Sequence, residues 1–191
     1  MASDSVIQKT AKIRERLSPR VQRGELIGCS EQELEELKQA QNVTCLPEIY
    51  SELLRLMGKQ GMGQTLDAYA DHKYLLGMKS GFVEDMNEIE LCYPKDAFVF
   101  WRDQQGCGYW FFRTRGCETD PAVYEYREAS CFYKLAETLS EFILMQVDID
   151  PEIRKVFAEN IIRSRSINLY FDLQTDDFYA PHEHLMENSH D

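Results

Sequence analysis

From the start of the chain, Val6, Ile7, Thr10, Ile13 and Leu17 recur at helical spacing. They predict an N-terminal helix that stops at Ser18 and Pro19, because proline disfavours helical backbone in the residue before it. Ser30 with Glu33 is a capping box, and Leu34, Leu37 and Ala40 give the helix behind it a narrow apolar face. Pro47 suits the first turn of another helix, carried by Ile49, Tyr50, Leu53, Leu54 and Met57 and stopped at Gly58. Residues 59–65, with Gly61 and Gly63, read as a flexible connection. The pattern over 74–91 predicts a helix despite Gly77 and Gly81.

Further on the pattern changes period. Residues 97–101 and 109–112 are aromatic and β-branched runs, and the glycines at 106 and 108 between them supply a hairpin turn. A third strand over 122–127 follows Asp120 and Pro121. Ser130 is placed to cap a helix whose Phe132, Leu135, Leu139, Phe142 and Ile143 would cover one sheet face. Asp150 and Pro151 predict a helix to about Arg163, and residues 167–173 one more strand. The fold class expected is α+β: a single domain with a mainly antiparallel twisted sheet and helices packed against it.

Composition narrows the function. With 191 residues, ten Phe and ten Tyr the chain is expected to fold, and a net charge of -12 argues against a phosphate backbone or an anionic membrane as its main partner. No apolar run reaches the length of a membrane span and residues 1–12 lack a signal peptide's apolar stretch, so the cytosol is the expected address. The six cysteines lie far apart with no CxxC pair and are expected to be reduced. Charge is uneven: residues 1–23 carry +4 and the remainder -16, which points to a basic protein partner.

The order of parts is similar to a known family. The segment IGCSEQELEELKQAQNVTCLPEIYSELL at 27–54 resembles the opening of SUKH domains. The strand, Gln-Gly turn and aromatic strand AFVFWRDQQGCGYWFF at 97–112 and DPAVYEY at 120–126 resemble later parts of the family. The resemblance covers roughly 24–147 and implies a non-enzymatic α+β binding module without cofactor. Many bacterial members are cytosolic immunity proteins that bind the toxin of a linked toxin system, and fungal relatives regulate cell-wall assembly. The expected function is therefore neutralisation of a cognate toxin, with a nuclease as one type; the alternative is a regulatory interaction module in a cellular complex. The domain boundaries expected are a basic N-terminal helix at 1–23, a SUKH-like domain at 24–148, and a C-terminal helix, strand and acidic tail at 149–191.

Candidate partner-binding residues follow from charge and hairpin position. Acids cluster on two predicted helices, Glu31, Glu33, Glu35 and Glu36 on one and Glu84, Asp85, Glu88 and Glu90 on the other, with Asp103 at the hairpin tip. Gln105 carries the family signal at the turn, where it equally serves to bond the loop backbone. Tyr109 and Trp110 are the candidate aromatic anchors, although alternation sends about two of the four residues 109–112 inward. The partner-binding set is Glu84, Asp85, Glu88, Asp103, Gln105, Tyr109 and Trp110. The tail histidines His182, His184 and His190 lack a well-spaced fourth ligand, so no metal is expected. No nucleophile motif is present, and Cys107 in its glycine-flanked turn lacks an identifiable base.

Overall fold

In a computed structural model, which describes residues 4–63, 69–103, 108–127, 131–147 and 167–181, helix α1 (Asp4–Gln22) runs past its expected end at Ser18. Pro19 lies in its last turn, and Ile13 and Leu17 before it are buried while Val21 after it packs on the core. Burial on both sides of the proline outweighs the local preference. The helix is tied down at both flanks. Lys9 donates to the Ser140 hydroxyl at 2.9 Å, and Arg14 pairs with the buried Glu52 at 2.6 Å.

Helix α2 (Glu31–Ala40) has the expected capping box: Ser30 accepts from the Glu33 amide, and the Glu33 carboxylate accepts from the Ser30 amide at 2.9 Å. Its apolar face differs by one position. Ala40 is exposed, whereas Gln41 is buried and its amide donates to Leu75 and Val99 carbonyls while accepting from the Val99 amide at 3.0 Å. A glutamine can satisfy three backbone groups there, and an alanine none. Helix α3 (Glu48–Met57) follows Pro47, and Gly58 caps it in right-handed conformation. Lys59 and Gln60 both donate to the Ile27 carbonyl, so the connection after α3 is hydrogen-bonded where it begins. Helix α4 spans His72–Glu88.

Strands β1 (Ala97–Arg102), β2 (Gly108–Arg113), β3 (Val123–Arg127) and β4 (Phe132–Ala136) form an antiparallel sheet in the order β1-β2-β3-β4. Between Val99 and Trp101 the register shifts by one residue, a β-bulge at Phe100. Phe98, Phe100 and Phe112 all meet the Tyr50 ring of α3 edge-on, at 5.2–5.8 Å between centroids. Helix α5 (Leu139–Val147) completes this layer, with Phe142 against Phe100 and Trp110.

On the opposite sheet face, Phe82 of α4 packs on Tyr109 and Phe111. A second hairpin, β5 (Tyr170–Asp172) and β6 (Asp177–Tyr179), sets Phe178 on Tyr124, Phe111 and Phe132. Strand β6 lies where the sequence pattern suggests the beginning of an acidic tail. With both sheet faces covered, all four residues Tyr109, Trp110, Phe111 and Phe112 are buried, not two of them. The chain is one α+β domain.

Two further expectations are corrected. Residues 132–136 form a strand rather than the first turns of a helix: pairing Tyr126 with Phe132 and Glu125 with Tyr133 satisfies the β3 edge. The helix starts only at Leu139, where the Thr138 hydroxyl accepts from the Glu141 amide and Asp120 accepts from the Ser140 amide at 2.7 Å. Secondly, Cys45 and Cys117 are joined by a disulfide with their Cα atoms 5.9 Å apart, so the six cysteines are not all reduced. The fold brings the loop after α2 against the turn after β2, a meeting across 72 residues that no local spacing announces. Cys29, Cys92 and Cys131 are free thiols. The predicted Ser130 cap, the helix expected near 151–163, Cys107 and the tail histidines lie outside the described residues.

Candidate functional site

The two acidic helices have different surroundings. On α2, Glu31 is bonded to Arg55, Glu33 to Lys59 and Glu35 to Lys38, and Glu36 lies 4.0 Å from His72. Lys59 and the Ser30 cap hold the Glu33 carboxyl down to about 2. On α4 and just beyond it, Glu84, Glu88 and Glu90 are exposed and make no ion pair among the described residues. Glu84 and Glu88 are four residues apart and share one helix face. Net negative field therefore persists at the end of α4 and is largely cancelled on α2.

Close packing brings α4 to the first hairpin. A Cβ on Gly81 would meet the Tyr109 hydroxyl at 3.3 Å, so the smallest residue sits where helix and strand approach. The Tyr109 hydroxyl donates to Asp85 at 2.6 Å, and the Arg102 guanidinium lies 5.0 Å from the centre of the same ring. Burial and the Asp85 hydrogen bond push the Tyr109 phenol well above its ordinary range, so it stays a neutral donor. Asp103 closes the hairpin, its amide donating to the Gly108 carbonyl at 3.2 Å.

Of the seven candidate residues, the structure gathers Glu84, Asp85, Glu88, Asp103 and Tyr109 around the α4 and hairpin junction. Within that group Asp85 and Tyr109 are spent on each other, and Tyr109 is 1% exposed, which leaves no ring surface for a partner. Trp110 belongs to the other sheet face, where its indole donates to the buried Glu125 at 3.0 Å. Both aromatic anchors expected from the sequence are core residues, because two layers of helices and a second hairpin cover the sheet. Gln105 lies outside the described residues.

Other side chains occupy the place expected for the anchors. Tyr69 and Tyr74 are exposed with ring centres 4.9 Å apart, and the Tyr69 amide donates to the Arg102 carbonyl, which ties the pair to the edge of β1. Ile89, 43% exposed, stands between Glu88 and Glu90. An apolar side chain rimmed by unpaired acids has the composition of a small interface centre. A tyrosine before α4 and an isoleucine at its end carry no motif, and the signal that could have found them is their break with the apolar period of α4. Among the described residues no group of His, Cys, Asp and Glu is arranged to hold a metal, and no helix is long and apolar enough to cross a membrane.

The helix pair, hairpin and third strand coincide with a known family model, that of the SMI1 / KNR4 family (SUKH-1), which matches residues 28–145. The chain belongs to the SUKH-1 family. The match begins at Gly28, after α1, and ends within α5, so the second hairpin falls outside it. Gly28 has a packing role in this SUKH-1 fold: a Cβ there would stand 1.6 Å from the Arg55 carbonyl oxygen. No curated protein matches the chain.

Proposed function

We propose that this SUKH-1 chain is a non-catalytic immunity protein that acts in the cytosol, binding a cognate bacterial protein toxin and covering a basic surface on it. The observation that carries the proposal is the set of exposed, unpaired acids Glu84, Glu88 and Glu90 at the end of α4. Such a field speeds encounter with a basic partner and excludes other acidic surfaces. Ile89, and Tyr69 with Tyr74 at the other end of α4, supply apolar contact that slows dissociation. Where the toxin acts on nucleic acid, its active-site cleft is basic and the carboxylates stand in for phosphates. Neither a cofactor nor direct nucleic-acid contact enters this mechanism.

Co-expression tests it. A bacterial strain producing the toxin domain encoded beside this gene is expected to survive only when this protein is present. Equal killing with and without it removes the immunity reading and leaves a regulatory interaction module of the same family.

A further inference from the structure

The disulfide lies in a turn that also holds the C-terminal hairpin. Cys117 is exposed and ends the short 3-10 turn Arg115–Cys117, with φ of 52° beside Gly116 at 63°. Left-handed backbone is uncommon for a residue with a side chain, and here that residue is one end of the bond to Cys45. Arg115 of the same turn donates to the Asp176 carbonyl at 3.1 Å and lies 3.4 Å from its carboxylate. Arg113 donates to that carbonyl at 2.7 Å and to the carboxylate at 3.0 Å. Asp176 is in the turn joining β5 to β6, so two arginines on either side of Thr114 grip the hairpin that seats Phe178 on the sheet. On its other side the bond is reachable too, since Cys45 lines an open cavity of about 250 Å³ with Lys38, Thr44, Ser51 and Arg55.

We propose that Cys45 and Cys117 form a thiol–disulfide switch that sets how firmly the C-terminal hairpin closes over the sheet. The reductant is a dithiol, of a small molecule or of a protein. Its thiolate attacks the sulfur of Cys117, an exposed residue, the S–S bond breaks, and Cys45 leaves as a thiolate that takes up a proton. The second thiol of the reductant then attacks the mixed disulfide, releasing Cys117, which is protonated in turn. Two electrons and two protons have passed to the protein and the dithiol has become a disulfide. Freed from Cys45, the turn relaxes out of its left-handed conformation and Arg115 leaves Asp176. The hairpin then opens more often over Phe111, Tyr124 and Phe132.

Hydrogen exchange on the full chain tests this, with peptide mapping of the oxidised protein first to verify the link between Cys45 and Cys117. On reduction with dithiothreitol, amides of 169–179 are expected to exchange about tenfold faster or more, while those of β2 and β3 change less than about twofold. In oxidised Arg115→Ala the hairpin should already exchange faster, with little added by reduction, because bond and arginine act through one turn. Cys45→Ser should resemble the reduced chain. Unlinked cysteines in the oxidised protein overturn the proposal, as does an equal acceleration of hairpin and core strands, which is the signature of a bond that stabilises the whole fold alone.

Discussion

Lys79 shows how a buried charge is tolerated in this fold. It is 7% exposed on α4, and its ammonium donates to the carbonyls of Lys95, at 3.1 Å, and of Ala97. Burial pulls its pKa down to about 8 from 10.5. The folded chain therefore binds this proton less tightly than the unfolded one. The full penalty for burying the charge applies below pH 8 and is relieved as pH rises toward 10.5. Lys79→Met lacks that relief, so its stability relative to the parent should fall by about 3 kcal/mol as pH rises across that window. Urea unfolding of both proteins near pH 7 and pH 10 measures the difference, and a gap that does not change with pH contradicts the assignment. Trp110, expected from the sequence to touch a partner, gives a second prediction: Trp110→Ala should lower stability by roughly 3–5 kcal/mol with no partner present. Chemical denaturation checks this, and a loss of affinity with unchanged stability would return Trp110 to the surface.

Local chemistry announces some elements and hides others. The start of α2 was legible because Ser30 and Glu33 satisfy each other's backbone within one turn, and β1 and β2 because aromatic runs flank a glycine-bearing turn. Strand β4 was not, since Phe132, Leu135 and Leu139 fit a helical period and only the open edge of β3 decides between strand and helix. For the candidate site, the acids of α4 were legible as charge. Which acids stay unpaired was not, because Arg55 and Lys59 reach α2 from outside it. The aromatic anchors were misplaced because alternation assumes a sheet with one open face. Helix α1 illustrates the same dependence on tertiary packing. Taken alone it is a basic segment that could be removed with little loss of partner binding, but for folding it matters, since Ile13 and Leu17 are 1% and 2% exposed in the core. Leu17→Ala should cost about 2–5 kcal/mol, and deletion of residues 1–23 should lower the melting temperature rather than leave it unchanged. Calorimetry of the two variants decides, and a truncated protein that melts like the parent would place α1 outside the folding unit.

For the whole molecule, the net charge of -12 divides into acids used for folding and acids left free. Glu31, Glu33 and Glu52 each hold a cation from a different segment of the chain, Arg55, Lys59 and Arg14, and so belong to the architecture. Glu84, Glu88 and Glu90 hold none among the described residues, and in the proposed function they are the charge that meets the partner. The most direct measurement of the proposed function is the affinity of a toxin domain encoded beside the gene, the partner the proposal requires, for the parent protein and for Glu84→Lys with Glu88→Lys, titrated calorimetrically at about 50 mM and about 500 mM salt. The parent should bind at least about tenfold more weakly at high salt, and the double variant should bind weakly at both with a much smaller salt dependence. Equal affinity of the two proteins at both salt concentrations would contradict the central claim that the end of α4 is the binding surface.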